Sequence, residues 1–295
     1  MKNRPFYILD VFAESKYAGN QLGVVLEAAD LSGDEMQRIA RETNFSETTF
    51  VLADQPRDGG YDVRIFTPKA EVPFAGHPTL GTAWLIRREL LDEAAEEVTL
   101  NLGVGPIRVT FRSSPAGVER AWLHQREPEF GREFDAATIA GVFGLEADDV
   151  DERYPIQVVS MGIEFLTVPL KSLAALKRAA FSGERLRLLC EPGIPGLQHL
   201  FCPEAYDGQN DLCVRMFGEA YGVPEDPATG SAAACLAGYL LRHEYFGSNV
   251  LDLRIEQGME IGRPSLLWVK AKKEAEGMRL SVGGRVMMAV RGEIF

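Results

Sequence analysis

Two stretches of the sequence place a titratable residue at the mouth of an apolar run. His77-Pro78-Thr79-Leu80-Gly81-Thr82-Ala83 and Asp226-Pro227-Ala228-Thr229-Gly230-Ser231-Ala232 share one pattern. His or Asp comes first, then Pro-x-x-Gly, then Thr or Ser, then Ala. Proline suits a first helical position, so each stretch reads as the entry to a helix. A helix N-terminus offers unpaired N–H groups and the positive end of the macrodipole, which suit a carboxylate or phosphate. Small residues at Gly81, Gly230 and Ser231 would let a ligand approach the backbone. Taken alone, Asp226 reads as an ordinary N-cap and His77 as a loop or capping histidine. Equivalent places with different chemistry suggest instead separate roles in one asymmetric site, in a cleft between two half-chains.

Glu47 is the third candidate. It stands in Asn44-Phe45-Ser46-Glu47-Thr48-Thr49-Phe50-Val51, at the entry to a strand. A glutamate there is either an exposed strand-edge charge or faces a dry cleft. In the second case desolvation would raise its pKa and let it serve as both base and acid.

The elements around these residues repeat. Arg64-Ile65-Phe66 recurs as Arg215-Met216-Phe217, an offset of 151, and the two helix-entry motifs recur at an offset of 149. Each pair reads as a strand, a short loop and a helix that is apolar on nearly every side, from about Pro78 and from Pro227 to about His243. Such a helix has to be surrounded. Further readings are strands at 7–12, 23–26, 47–52, 61–66, 98–102, 107–111, 121–124, 157–169, 197–203 and 212–217. Helices are expected at 32–41, opened by a Ser32/Glu35 capping box, and at 134–143 and 171–180. Residues 114–117 offer a hairpin turn, and 125–132 and 204–211 read as loops that could set specificity. A duplication of one domain follows.

Composition narrows the function. The chain has 295 residues, 46% of them hydrophobic, enough for two cores. A formal charge of −12, without a basic cluster, disfavours nucleic acid and anionic membranes as partners. Cys190, Cys202, Cys213 and Cys235 form no C-x-x-C pair, and the four histidines (77, 124, 199, 243) lack metal-ligand spacing. Thr82 stands where a phosphate-binding loop needs lysine, and neither a Rossmann glycine pattern nor a G-x-S-x-G elbow is present. The motifs support no metal, nucleotide or Rossmann cofactor, and a soluble, reducing, cytoplasmic setting is expected.

Taken together the motifs resemble the PhzF (phenazine-biosynthesis-like) family. The strings that carry the resemblance are Leu9-Asp10-Val11-Phe12 with Gly19-Asn20-Gln21-Leu22-Gly23, Phe45-Ser46-Glu47-Thr48-Thr49-Phe50, and Glu71-Val72-Pro73-Phe74-Ala75-Gly76-His77-Pro78-Thr79. Glu225-Asp226-Pro227-Ala228-Thr229-Gly230-Ser231-Ala232, Glu256-Gln257-Gly258, Gly262-Arg263-Pro264-Ser265 and Val282-Gly283-Gly284 complete it. The resemblance implies an α+β fold of two pseudo-symmetric diaminopimelate epimerase-like domains, each a curved mixed sheet around a central helix. The domains would cover 1–117 with 282–295, and 118–281, in a homodimer. It also implies an isomerase that moves a proton on a small carboxylate, as in isomerisation of dihydro-3-hydroxyanthranilate. Glu47 would carry the proton, His77 and Asp226 would polarise the substrate, and Ser46, Gly76, Gly230 and Ser231 would contact it. Two alternatives stand beside this reading: a racemase or epimerase of the same fold, which would use paired cysteines that this chain lacks at its helix starts, and a non-catalytic binding or scaffold protein.

Overall fold

The structure is a computed structural model that describes residues 3–91, 94–113, 117–189 and 193–295. Cys190 and most of the turn expected at 114–117 lie outside the described residues. The chain divides into two compact units, one running to His124 and taking in Gly283–Phe295, the other spanning Gln125–Val282.

The first unit is a mixed sheet around one helix. Its strands are β1 (Arg4–Val11), β2 (Asn20–Val25), β3 (Glu47–Val51), β4 (Tyr61–Phe66), β5 (Glu71–Val72), β6 (Glu97–Leu102), β7 (Gly105–Ser113) and β8 (Glu119–Gln125). The C-terminal strand, Val286–Ile294, pairs antiparallel with β1. From there the ladder runs β1–β2 antiparallel, β2–β3 parallel and β3–β4 antiparallel. It continues β4–β6 parallel, then β6–β7 and β7–β8 antiparallel, with the short β5 also on β4. Helix α1 (Gly33–Thr43) carries the expected Ser32/Glu35 capping box and ends at Asn44 in the left-handed conformation. Helix α2 (Gly76–Glu89) is buried at every position from His77 to Ala83 and again at Leu85 and Ile86. Covering those leucines and the isoleucine is worth roughly 1.5–3 kcal/mol each. Gly81 has a packing role: a Cβ there would lie 2.6 Å from a Leu22 methyl and 2.9 Å from one of Val11. It lets α2 press onto the sheet and is not a ligand approach.

The second unit repeats this order. Its strands are β9 (Glu129–Phe134), β10 (Ile156–Ser160), β11 (Glu164–Pro169), β12 (Gln198–Cys202), β13 (Leu212–Gly218), β14 (Val223–Asp226), β15 (Val250–Gln257), β16 (Ser265–Lys273) and β17 (Met278–Gly284). Pairing is antiparallel for β9–β10, β10–β11, β12–β13, β13–β14 and β15–β16, and parallel for β11–β12 and β13–β15. From β9 to β16 the senses match those of the first unit from its C-terminal strand to β7. Helices α3 (Ala136–Val142), α4 (Leu173–Arg178) and α5 (Gly183–Leu189) lie outside the sheet. Their partner is an apolar cluster that includes Val158, Leu166, Val168, Leu200 and Phe217. Helix α6 (Gly230–Arg242) is the counterpart of α2, and Ala232–Leu241 are all buried.

Two expected helix starts shift, and two elements, β9 and α5, carry no signal in the sequence. The helix expected from Phe134 begins after an Asp135 cap, because Phe134 ends β9. Four of the six β9 residues are exposed, so the strand has no alternation to announce it, and pairing with β10 creates it. Helix α5 carries no buried residue, and no apolar stripe marks it. The second apolar helix starts at Gly230, not Pro227.

Candidate functional site

The candidate residues divide between the two units. In the first, Glu47 opens β3 and lies beside Leu22 of the parallel β2. Its neighbours one and two residues on are fixed by hydroxyl pairs. Thr48 Oγ1 is 2.8 Å from Thr43 Oγ1 at the end of α1, and Thr49 Oγ1 is 2.8 Å from Thr82 Oγ1 on α2. The strand entry is therefore held from both faces. The Glu47 side chain keeps 18% exposure and its Oε2 lies 3.5 Å from His77 Nε2. That separation is longer than a formed N–H···O bond.

His77 is the second residue of α2, after Ala75 as N-cap and Gly76. On its other side Asn20 Nδ2 lies 3.3 Å from Nδ1. With Nδ1 accepting from this amide, the ring proton would sit on Nε2, facing Glu47. Burial holds the imidazole pKa down to about 3, and a backbone hydrogen bond at Gln21 opposes this only in part. At neutral pH the ring is uncharged, so the Glu47–His77 contact is not an ion pair. Ser46 is half-buried in the bend before β3, and Gly76 is half-buried at the helix start.

In the second unit Asp226 ends β14 and is 8% exposed. Thr229 Oγ1 donates to its Oδ2 at 2.5 Å. Thr229 is the N-cap of α6, yet its side chain makes no capping bond, and the Ala75 cap of α2 has none to make. Neither helix carries an acidic residue in its first turn. Both starts thus keep their N–H groups directed at whatever lies before the helix. Gly230 is buried and Ser231 half-buried at the head of α6.

The internal repeat has a different register from the motif pairing that the sequence suggests. Arg64 pairs with Glu71 through Oε1 at 2.8 Å and Oε2 at 2.6 Å, and Arg215 with Glu225 at 2.9 and 2.7 Å. Ile65 is opposite Val72, and Met216 opposite Asp226. Glu71, Pro73 and Gly76 therefore correspond to Glu225, Pro227 and Gly230, an offset of 154. Seven residues lie between Phe217 and Glu225 but four between Phe66 and Glu71, because the β13–β14 hairpin runs further and carries a register shift, which lifts the offset from 151. His77 corresponds to Ser231, and Asp226 to Val72. The two titratable residues do not occupy equivalent places: one lies in a helix, the other at a strand end.

Two polar residues of the site were not singled out from the sequence. Asn20 and Gln257 both lie in strings that carry the family resemblance, but neither has a spacing that marks a role. Gln257, wholly buried at the end of β15, bonds to the Asp226 carbonyl and to Thr229. Cys202 and Cys235 are poor nucleophiles: burial pushes Cys235 up to about 12 and Cys202 up to about 11.

Comparison with known proteins agrees with this architecture. Residues 9–292 match the family model PhzC-PhzF, described as phenazine biosynthesis-like protein. The trans-2,3-dihydro-3-hydroxyanthranilate isomerase of Pseudomonas chlororaphis is 36% identical over 302 residues, covering 98% of each chain. An uncharacterized isomerase of Mesorhizobium japonicum is 32% identical and covers both chains fully. Among solved structures, a PhzF-family phenazine biosynthesis protein of Bacillus anthracis superposes with a TM-score of 0.90 at 29% identity, over all of both chains.

Proposed function

This chain belongs to the PhzC-PhzF family of phenazine biosynthesis-like proteins and is an isomerase, and from that premise we propose that it moves a proton on a small cyclic carboxylate by acid–base catalysis through Glu47. The observation that carries the reading is the Glu47–His77 pair, a half-buried carboxylate 3.5 Å from a histidine that burial keeps neutral.

The step balances without oxidant or reductant. The Glu47 carboxylate takes a proton from a substrate carbon, and the C–H electron pair moves into the conjugated system as a dienolate-like intermediate. Protonated Glu47, in exchange with solvent, then delivers a proton to a different carbon of that system. Neutral His77 supplies an Nε2–H donor without adding charge, and Asp226 binds and polarises the substrate. The uncapped N–H groups of α2 and α6, with Ser46, Gly76, Gly230 and Ser231, hold its carboxylate and the developing negative charge. A positioned acid–base group of this kind contributes roughly 10²–10⁴-fold.

The substrate favoured is trans-2,3-dihydro-3-hydroxyanthranilate or a close carboxylate analogue, on the strength of the Pseudomonas relatives. A cytoplasmic homodimer without cofactor or metal, with no nucleic-acid partner, completes the reading. No helix of the described residues is long and apolar enough to cross a membrane. Two-thiol racemisation has little support, since His77 and Ser231 stand at the second positions of the two helices.

The test is isomerisation of trans-2,3-dihydro-3-hydroxyanthranilate in D2O, wild type against Glu47→Gln. Wild-type turnover with deuterium entering the product, suppressed at least a hundredfold in the variant, is expected. Turnover untouched by the substitution removes Glu47 from the mechanism. No turnover with any cyclic hydroxy- or amino-carboxylate favours a binding protein.

A further inference from the structure

We propose that Gln257 is a positioning residue for Asp226, acting through Thr229; this rests on the role given to Asp226 above. Gln257 is the last residue of β15 and is fully buried. Its Nε2 donates to the Asp226 carbonyl at 2.8 Å and to Thr229 Oγ1 at 3.0 Å, while its Oε1 accepts from the Thr229 N–H at 3.1 Å. The Thr229 hydroxyl in turn donates to Asp226 Oδ2 at 2.5 Å. One amide thus fixes both ends of the Asp226–Thr229 turn, and a relay of two hydrogen bonds runs from it to the carboxylate. Donor and acceptor are each polarised by the next, so the relay is stiffer than its separate bonds.

The other unit shows what the strand does without this residue. Strand β6 is the counterpart of β15: Tyr61 pairs with Leu100 and Asp62 with Asn101, as Leu212 pairs with Ile255 and Cys213 with Glu256. Leu100-Asn101-Leu102-Gly103 therefore matches Ile255-Glu256-Gln257-Gly258, and Leu102 stands where Gln257 does. Gly103 abuts Pro73, and Gly258 abuts Pro227, so the two backbones meet the following turn alike. The fold accepts leucine at this place. The buried amide appears only in the unit whose turn presents a carboxylate at Asp226, where the first unit has Val72. Burying an amide needs its partners to be present, and here three of its four hydrogen-bonding sites are used.

The experiment compares Gln257→Leu, which installs the residue of the first unit, with Thr229→Val, which breaks the relay while leaving Gln257 in place. Turnover of trans-2,3-dihydro-3-hydroxyanthranilate and amide hydrogen exchange of a peptide spanning 225–232 are both measured. Each variant is expected to lose about 10–100-fold in kcat with a smaller change in KM, and to lose exchange protection in that peptide. On an Asp226→Asn background neither substitution should lower kcat further by more than about twofold. A full additional loss on that background, or unchanged kcat in a variant whose peptide has lost protection, overturns the positioning role. Unchanged protection in both variants overturns the clamp itself. If Asp226→Asn alone is as active as wild type, the function assigned to Asp226 has failed, and with it the catalytic part of the inference, whereas the exchange data still decide whether the clamp exists.

Discussion

Gly258 approaches Pro227 so closely that a Cβ on it would lie 2.6 Å from the Pro227 carbonyl oxygen. It also has φ +77, in the left-handed region. Gly103 meets Pro73 in the same way but less tightly, with a Cβ 3.0 Å from the Pro73 Cα. Backbone cannot step aside as a side-chain tip can. Gly258→Ala is therefore expected to lower the free energy of urea unfolding by about 1–3 kcal/mol, and Gly103→Ala by less. Equal effects would remove backbone conformation as the difference.

The Arg–Glu pairs of the two units predict a contrast. Arg215 and Glu225 are each 9% exposed, and Arg215 Nη1 also donates to the carbonyls of Leu176 at 3.1 Å and Ala179 at 2.5 Å. Arg64 and Glu71 are 33% and 44% exposed. Arg215→Met leaves the Glu225 carboxylate buried without its guanidinium and takes a donor from the Ala179 carbonyl, and should cost roughly 3–5 kcal/mol. Arg64→Met should cost about 1 kcal/mol or less. Denaturant unfolding of both variants checks the ratio.

Two buried histidines predict a pH dependence of stability. His77 and His199 are both held to about 3 by desolvation. Between their unfolded pKa and about 3 the unfolded chain binds more protons than the native one, so stability falls as pH falls through that window. Each contributes a slope of roughly 1.4 kcal/mol per pH unit. In His199→Gln the dependence of the unfolding free energy on pH between about 4 and 6 should be shallower by close to one proton. An unchanged slope would mean that His199 is charged in the native protein.

His77 also predicts a kinetic profile. Because its pKa lies far below neutrality, loss of activity on the acid side near pH 6.5 is not expected from this ring. Asn20→Ala removes the amide that lies 3.3 Å from Nδ1 and with it a contact that orients the ring. A fall in kcat, with KM moving less, is expected for Asn20→Ala in the isomerase assay.

Much of this was readable from spacing. The capping box of α1, the two all-apolar helices and the Arg-x-Phe strands are local patterns, and each became the element it signalled. The register of the repeat was not readable, because two pairings compete. His77-Pro78 and Asp226-Pro227 match at one offset, while Glu71, Pro73 and Gly76 match Glu225, Pro227 and Gly230 at another. Only cross-strand pairing of Val72 with Ile65 and of Asp226 with Met216 decides between them.

By itself the sequence determined the family, the doubled domain and the identity of Glu47, His77 and Asp226 as candidates. Motif strings survive as strings, and periodicity is a property of neighbours in the chain. The tertiary structure alone decided that His77 is neutral, that Asn20 faces its ring, that Asp226 lies on a strand end and that Gln257 ties down the turn after it. Those facts depend on burial and on contacts between residues as far apart as Asp226 and Gln257, which loop lengths and strand register bring together and local spacing does not encode.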